Sequence, residues 1–123
     1  MARFGLLLLN KGKWHDVQVV PADYVDLLSS SSQNLNLSYG YLTWLNGKSS
    51  FMAPGSQLVI PSSVTPAAPA DMFAAMGKNG QVINIVPSQN LIVVRMGDVP
   101  DNTLVPFLFQ DDIWEKLNEI IVK

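Results

Sequence analysis

The sequence has no cysteine, one histidine, and charged residues at only 15% of its 123 positions. The missing cysteines exclude a disulfide framework and a thiolate metal site, and they leave cytoplasm, periplasm and exterior equally open. A mononuclear metal centre takes several converging His, Cys or carboxylate ligands, so His15 alone does not suggest one, and no metal or cofactor is expected. Lys and Arg number 8 against 10 Asp and Glu, a formal net charge of -2. Scattered as they are, they form no basic stripe that could follow a phosphate backbone, which argues against nucleic acid as a partner. The apolar run Leu6 to Leu9 is far below the roughly 18 residues of a membrane-spanning helix. With Arg3 before it, the run has the beginnings of a signal peptide, but Asn10-Lys11-Gly12-Lys13 is no small-residue cleavage site. A buried helix is the better reading. An exported or periplasmic parent would carry its signal upstream of Met1.

What is present is enough apolar material, 48% of the residues, to bury the core of one domain or one part of a domain. Ala2 to Leu9 reads as a short helix packed on several sides and ended by Asn10 and Gly12. Trp14 to Val20 reads as an extended connector or short strand. Pro21 and Asp23 then open a second helix, carrying Val25, Leu27 and Leu28, to about Ser29. After the polar tract Ser29 to Ser32, the aromatic stretch Tyr39 to Leu45 is a strand leaving through the turn pair Asn46-Gly47. Four prolines between residues 51 and 71 remove backbone donors, so that segment is expected to be a long surface loop.

Met72 to Met76, Gln81 to Val86 and Leu91 to Met96 are extended runs with short connections, which favours an antiparallel meander. Leu91-Ile92-Val93-Val94 is apolar on both faces and should lie inside the sheet. Beyond Gly97 and Pro100, Asp111 or Asp112 should cap a last helix whose face of Ile113, Trp114, Leu117, Ile120 and Ile121 covers the sheet. The class is α+β, an antiparallel sheet with flanking helices, and no linker divides residues 1–123.

Local chemistry is sparse. His15 and Asp16, as strand neighbours, would face opposite ways and form no catalytic pair. Gly77-Lys78-Asn79-Gly80 lacks the spacing and following helix of a phosphate cradle, and a bulge or turn explains its glycines as well.

Three stretches acquire meaning in order: Met1 to Asn10, Tyr39-Gly-Tyr-Leu-Thr-Trp-Leu45, and Ala67-Ala-Pro-Ala-Asp-Met-Phe-Ala-Ala-Met-Gly-Lys-Asn-Gly-Gln81. With Ile83 to Gly97 as closing hairpin, they resemble the second half of β-lactamase-related serine hydrolases, over nearly the whole chain. That family includes class C β-lactamases, D-alanyl-D-alanine carboxypeptidases, esterases and 6-aminohexanoate-dimer hydrolases. The resemblance implies the carboxy-terminal part of the serine β-lactamase and penicillin-binding-protein-like fold, and a parent that hydrolyses a small-molecule ester or amide through an acyl-serine.

In such enzymes a Ser-x-x-Lys serine attacks, its lysine and a Tyr-x-Asn tyrosine move protons, and a Lys-Thr-Gly strand borders the substrate. Here the residues three before each lysine are Leu8, Asn10, Leu45, Ala75, Ile113 and Ile120, so Ser-x-x-Lys is absent. Neither Tyr39 nor Tyr41 begins Tyr-x-Asn. No catalytic residue is therefore assigned in this chain. Ala75, Met76 and Gly77 fall at the Lys-Thr-Gly places, which removes the usual carboxylate clamp and favours an esterase, amidase or peptidase-like parent. By the resemblance, Gly77 leaves the strand edge free for an acyl group, and the Lys78 N–H stands at the second oxyanion donor. The Lys78 side chain is either a nearby charge or a solvent-facing turn lysine.

The family's last strand, here Leu91 to Met96, pairs with a first strand absent from this chain. A bare edge implies association with the amino-terminal half or homo-oligomerisation by edge pairing. A stand-alone binding or subunit-association module of the same fold is the alternative to an enzyme fragment.

Overall fold

The computed structural model describes residues 1–98 and 105–121. Strands and helices follow in the order α1 (Ala2–Leu9), β1 (Lys13–Trp14), β2 (Val17–Gln18), α2 (Ala22–Leu28), β3 (Trp44–Leu45), β4 (Phe51–Met52), β5 (Val59–Ile60), β6 (Phe73–Met76), β7 (Val82–Val86), β8 (Leu91–Arg95) and α3 (Phe107–Ile120). Four of the strands form one antiparallel sheet in the order β3-β6-β7-β8. The expected meander is there: β7 pairs along its length with β6 on one side, from Phe73↔Ile85 to Met76↔Val82, and with β8 on the other.

Strand β7 is buried at all five positions. Its alternation sends Ile83 and Ile85 to one face, where Phe73, Leu45 and the half-buried Ile92 and Val94 meet Leu8 of α1 and Val25 and Leu28 of α2. Val86 goes to the other face and joins Trp114 of α3, Met72 and Ala68, with Leu91, Val93 and Leu117 at their margin. Two helices thus cover one face and a third covers the other, which is why β7 reads as an uninterrupted apolar run around a single amide. That amide, Asn84, is buried, and its Oδ1 accepts a 2.6 Å hydrogen bond from Nε2 of the equally buried Gln110. A third apolar group, Trp44, Phe51 and Val64, extends from β3 to the start of α3 through edge-to-face contacts of Trp44 and Phe51 with Phe107.

Helix α1 has the predicted bounds but packs on one side only. Gly5 and Leu8 are buried, whereas Met1, Phe4 and Leu6 are exposed. Gly5 is pressed against the sheet: a Cβ there would lie 2.7 Å from Ile92 Cγ2. The helix ends through Lys11 and Gly12, both at positive φ, with the Gly12 N–H donating to the Leu7 carbonyl at 2.7 Å.

The extended reading of Trp14 to Val20 is corrected to a two-strand hairpin, β1 with β2, turning at His15 (φ 50°) and Asp16. The strand expected over Tyr39 to Leu45 shrinks to β3 with a bridge from Tyr39 to Trp44, because the chain doubles back through Leu42 at φ 58°. The surface loop over 51–71 is corrected too. It holds the hairpin β4-β5, and Phe51, Val64, Thr65 and Ala68 are buried. Side-chain amides replace the ladder that the prolines prevent: Asn36 accepts from the Met52 N–H at 3.3 Å and donates to the Met52 carbonyl at 3.1 Å. Asn46 Nδ2 lies 2.9, 3.1 and 3.0 Å from the carbonyls of Thr65, Ala68 and Pro69, and Asn46 Oδ1 accepts from the Thr65 N–H at 3.0 Å.

Helix α3 begins at Phe107 after Pro106, ahead of the predicted Asp111 or Asp112 cap, since Phe107 is held by the aromatic group. Asp111 instead accepts a 2.7 Å hydrogen bond from the Ala67 N–H. Ile120, placed by periodicity on the apolar face, is exposed. Pro100, read as a break before this helix, lies outside the described residues. Among the described residues β8 is an edge strand, as the resemblance implies and not the interior strand that its apolar run suggests; its two apolar faces reflect α1 on one side and α3 on the other.

Asn46 sits at 5% exposure, so truncating it strands several buried backbone groups at once. Asn46→Ala is expected to lower unfolding free energy by about 3 kcal/mol or more in urea titrations. A change below about 1 kcal/mol would show that the 64–70 segment does not depend on it.

Candidate functional site

Strand β6 is paired on both sides only at its beginning. Trp44 and Leu45 of β3 lie opposite Ala74 and Phe73. Past that point β3 has turned away at Thr43, whose hydroxyl donates to the Leu28 carbonyl at the end of α2. Ala75 and Met76 therefore keep their partners in β7, Ile83 and Val82, while among the described residues no strand pairs with them on the β3 side. Ala75 packs with the α1–α2 face and Met76 with the Trp44 group, so their side chains are spent on the core and the backbone edge lies between them.

Gly77 to Gln81 closes the β6–β7 hairpin. The Gly77 N–H donates to the Gln81 carbonyl at 2.8 Å, and the chain turns through a short 3₁₀ segment, Lys78–Gly80, with Asn79 at φ 64° and Gly80 at φ 72°. Both of those dihedrals are left-handed, which explains an Asn and a Gly there. Gly77 is different. Its φ of -103° and ψ of 165° are extended values open to any residue. A Cβ at this position would meet nothing nearer than Gln81 O at 3.6 Å and Gln81 Cβ at 3.8 Å. A plain turn thus accounts for Gly80 and does not account for Gly77; the space beside Gly77 is unfilled by the fold.

The turn is held from behind. Arg95, at the end of β8, donates from Nη1 to the Gly80 carbonyl at 3.0 Å and also to the Gly97 and Asp98 carbonyls. Its guanidinium lies 5.0 Å from the centre of the Phe109 ring. Gln81 Nε2 donates to the Gly97 carbonyl at 3.0 Å, and Gln81 Oε1 accepts from the Gly97 N–H at 3.4 Å. Lys78 is exposed and makes no ion pair among the described residues, and its N–H has no acceptor among them. The arrangement brings Ala75, Met76, Gly77 and Lys78 into one short edge and turn, with the Lys78 N–H lacking an acceptor among the described residues.

The other chemically capable residues lie elsewhere. His15 is exposed at the tip of the β1–β2 hairpin, edge-on to Trp14 at 5.4 Å between ring centres. Among the described residues no three His, Cys, Asp or Glu side chains converge as a metal site would require, and no helix is long and apolar enough to cross a membrane. Sequence reasoning passed over Arg95 and Gln81, the residues that hold the turn. The polar ends of apolar runs, Gln81 before β7 and Arg95 after Leu91-Ile92-Val93-Val94, were the available signal.

No protein-family model and no curated protein matches this chain. Among solved structures, a Bacillus anthracis protein assigned as a 6-aminohexanoate-dimer hydrolase matches over 98% of this chain, with a TM-score of 0.57 and 20% sequence identity. The likeness is one of fold. It covers 29% of that protein, so this chain spans less than a third of its structural neighbour's length. The fold is thus α+β, an antiparallel sheet flanked by helices as in the corresponding part of the β-lactamase-like fold.

If Arg95 and Gln81 fix the turn, Arg95→Met should leave the sheet intact. It should speed amide hydrogen exchange at Gly80 and Gln81 by about tenfold or more relative to Ile83 and Ile85. Unchanged protection at these two amides would place the turn's rigidity elsewhere.

Proposed function

We propose that this chain is the carboxy-terminal part of a β-lactamase-related serine hydrolase, one that cleaves a small ester or amide through an acyl-serine. In it, the Ala75–Lys78 segment is the wall on which the acyl group lies. The observation that carries this reading is Gly77, a glycine that neither its dihedrals nor its neighbours require, at the point where β6 loses its outer strand. A carbonyl drawn against that edge would place its developing negative oxygen near the Lys78 N–H, and a fixed donor of this kind contributes about 3 kcal/mol to an acyl-transfer transition state. The likeness of fold to the 6-aminohexanoate-dimer hydrolase supports the same reading.

Acyl transfer also needs an activated hydroxyl with a proton acceptor beside it. Neither Ser-x-x-Lys nor Tyr-x-Asn occurs in these residues, so the nucleophile belongs to an amino-terminal half. The β8 edge is the proposed contact with that half, or with a second copy when the half is absent, because β8 ends the sheet and no strand pairs with its outer side among the described residues.

The chain by itself is expected to give no fluorophosphonate adduct and no saturable hydrolysis of p-nitrophenyl esters or a chromogenic cephalosporin. It should sediment as an associating species. Joined to an amino-terminal half bearing both motifs, it should hydrolyse ester or amide. Gly77→Val should then lower turnover by about a hundredfold while the melting temperature stays close to that of the parent. A covalent adduct on any serine of this chain alone would overturn the proposal, as would a clean dilute monomer with no affinity for that half.

A further inference from the structure

A partly enclosed cavity lies at the opposite end of β6 from Gly77. It holds about 200 Å³ between the last turns of α1 and α2 and the Leu45, Met72 and Phe73 end of the sheet. Its floor is apolar, made by Leu8, Val25, Leu45 and Phe73 of the main core. Its rim carries two lysines, Lys11 and Lys48, and one carboxylate, Asp71.

The charges at this rim are unevenly committed. Asp71 is engaged by Ser88, accepting from its N–H at 2.6 Å and from its hydroxyl at 2.8 Å. It makes no ion pair with either lysine among the described residues. Lys11 pairs with Asp26, but both side chains are 59% exposed, and such a pair contributes little and exchanges readily. Lys48 is half-buried and has no ion pair among the described residues. The carbonyls at the end of α2 do not occupy the lysines either. Those of Val25, Asp26 and Leu28 accept hydroxyls from Ser29, Ser30 and Thr43. A half-buried cation above an apolar floor favours a ligand with an anionic head and an aliphatic tail.

We infer that this cavity binds a short-chain aliphatic carboxylate, its tail against Leu8, Val25 and Phe73 and its head at Lys48 with Lys11 beside it. The volume is below the range of about 300–1,000 Å³ of drug-sized ligand sites and suits a short chain of about six carbons. The occupant is a site ligand distinct from any acyl group at Gly77, because the two places lie at opposite ends of β6, and binding here needs no catalytic serine.

The test is an NMR titration of the ¹⁵N-labelled chain with hexanoate, with hexanol as the uncharged equal-length probe and acetate as the tail-less one. Hexanoate is expected to shift the amides of Lys48, Leu9 and Phe73 saturably and to bind at least tenfold more tightly than hexanol or acetate. Lys48→Gln should remove most of that preference and leave hexanol binding unchanged, whereas Lys48→Arg should retain it. Matching melting curves would establish that both variants are folded. Equal affinity for hexanoate and hexanol, shifts confined to other surfaces, or an unaltered preference in Lys48→Gln would each overturn the inference. None of these readouts depends on hydrolysis, so a catalytically silent chain with a working carboxylate site separates this inference from the proposed function.

Discussion

The structure depends on the burial of β7 from both sides. A strand of five buried residues has no solvated face, and each large element is placed by the need to cover it: α1 and α2 above Ile83 and Ile85, α3 below Val86. At roughly 25 cal/mol per Å² of apolar surface removed from water, this two-sided burial is the main favourable contribution available to so small a sheet. Asn84 is the exception within the run, and its cost is met by Gln110 reaching from α3. That bond gives specificity as well as satisfaction. A helix rotated or shifted by a residue would leave two buried amides without partners, so the pair fixes how α3 sits on the sheet.

From that core outward, side chains do the work that backbone ladders cannot. The segment from Phe51 to Asp71 is too rich in proline to pair continuously, yet it must cross the end of the sheet to deliver Val64 and Ala68 to the apolar groups. Asn46 meets the exposed backbone there, taking one N–H and facing three carbonyls. The following Gly47, at φ 68°, lets the chain pass close to Ala70. The same device recurs at the β6–β7 turn. A hairpin tip has few apolar contacts, and Arg95 and Gln81 supply hydrogen bonds in their place. The Lys78 N–H, without an acceptor among the described residues, consequently sits on a held backbone, and under the proposed function that fixity is what stabilisation of a transition state would require.

How much of this was legible beforehand follows from which forces act locally. The bounds of α1 and the three-run meander came from apolar periodicity and turn residues, signals that a short window carries intact. The hairpin β4-β5 did not, because two-residue strands held by Asn36 have no periodicity to detect. The start of α3 was misplaced because Asp111-Asp112 imitates a cap, while the determinant is a distant aromatic contact of Phe107 with Trp44 and Phe51. Strand β8 was placed inside the sheet because apolar character on both faces is shared by interior strands and by edge strands sandwiched between helices. Sequence alone cannot separate the two, since the difference lies in neighbours along the hydrogen-bonding direction and not in the side chains. The site segment Ala75 to Lys78 was reached through resemblance, for nothing in its composition marks it.

The two glycines of the β6–β7 turn, Gly77 and Gly80, differ in what the fold asks of them. In sequence they are equivalent punctuation, and a turn explains either. In space one of them is favoured by the backbone, since Gly80 holds a left-handed dihedral with its carbonyl under Arg95. The other is optional for folding, because Gly77 is extended with room for a side chain. A residue that folding would allow to be larger, standing where the sheet edge is open, is economically explained by something that must lie against it. The fold also leaves that edge and the β8 edge on opposite sides of one meander. On the proposed function, docking along β8 would align a nucleophile carried by a partner relative to Gly77 without disturbing the turn itself.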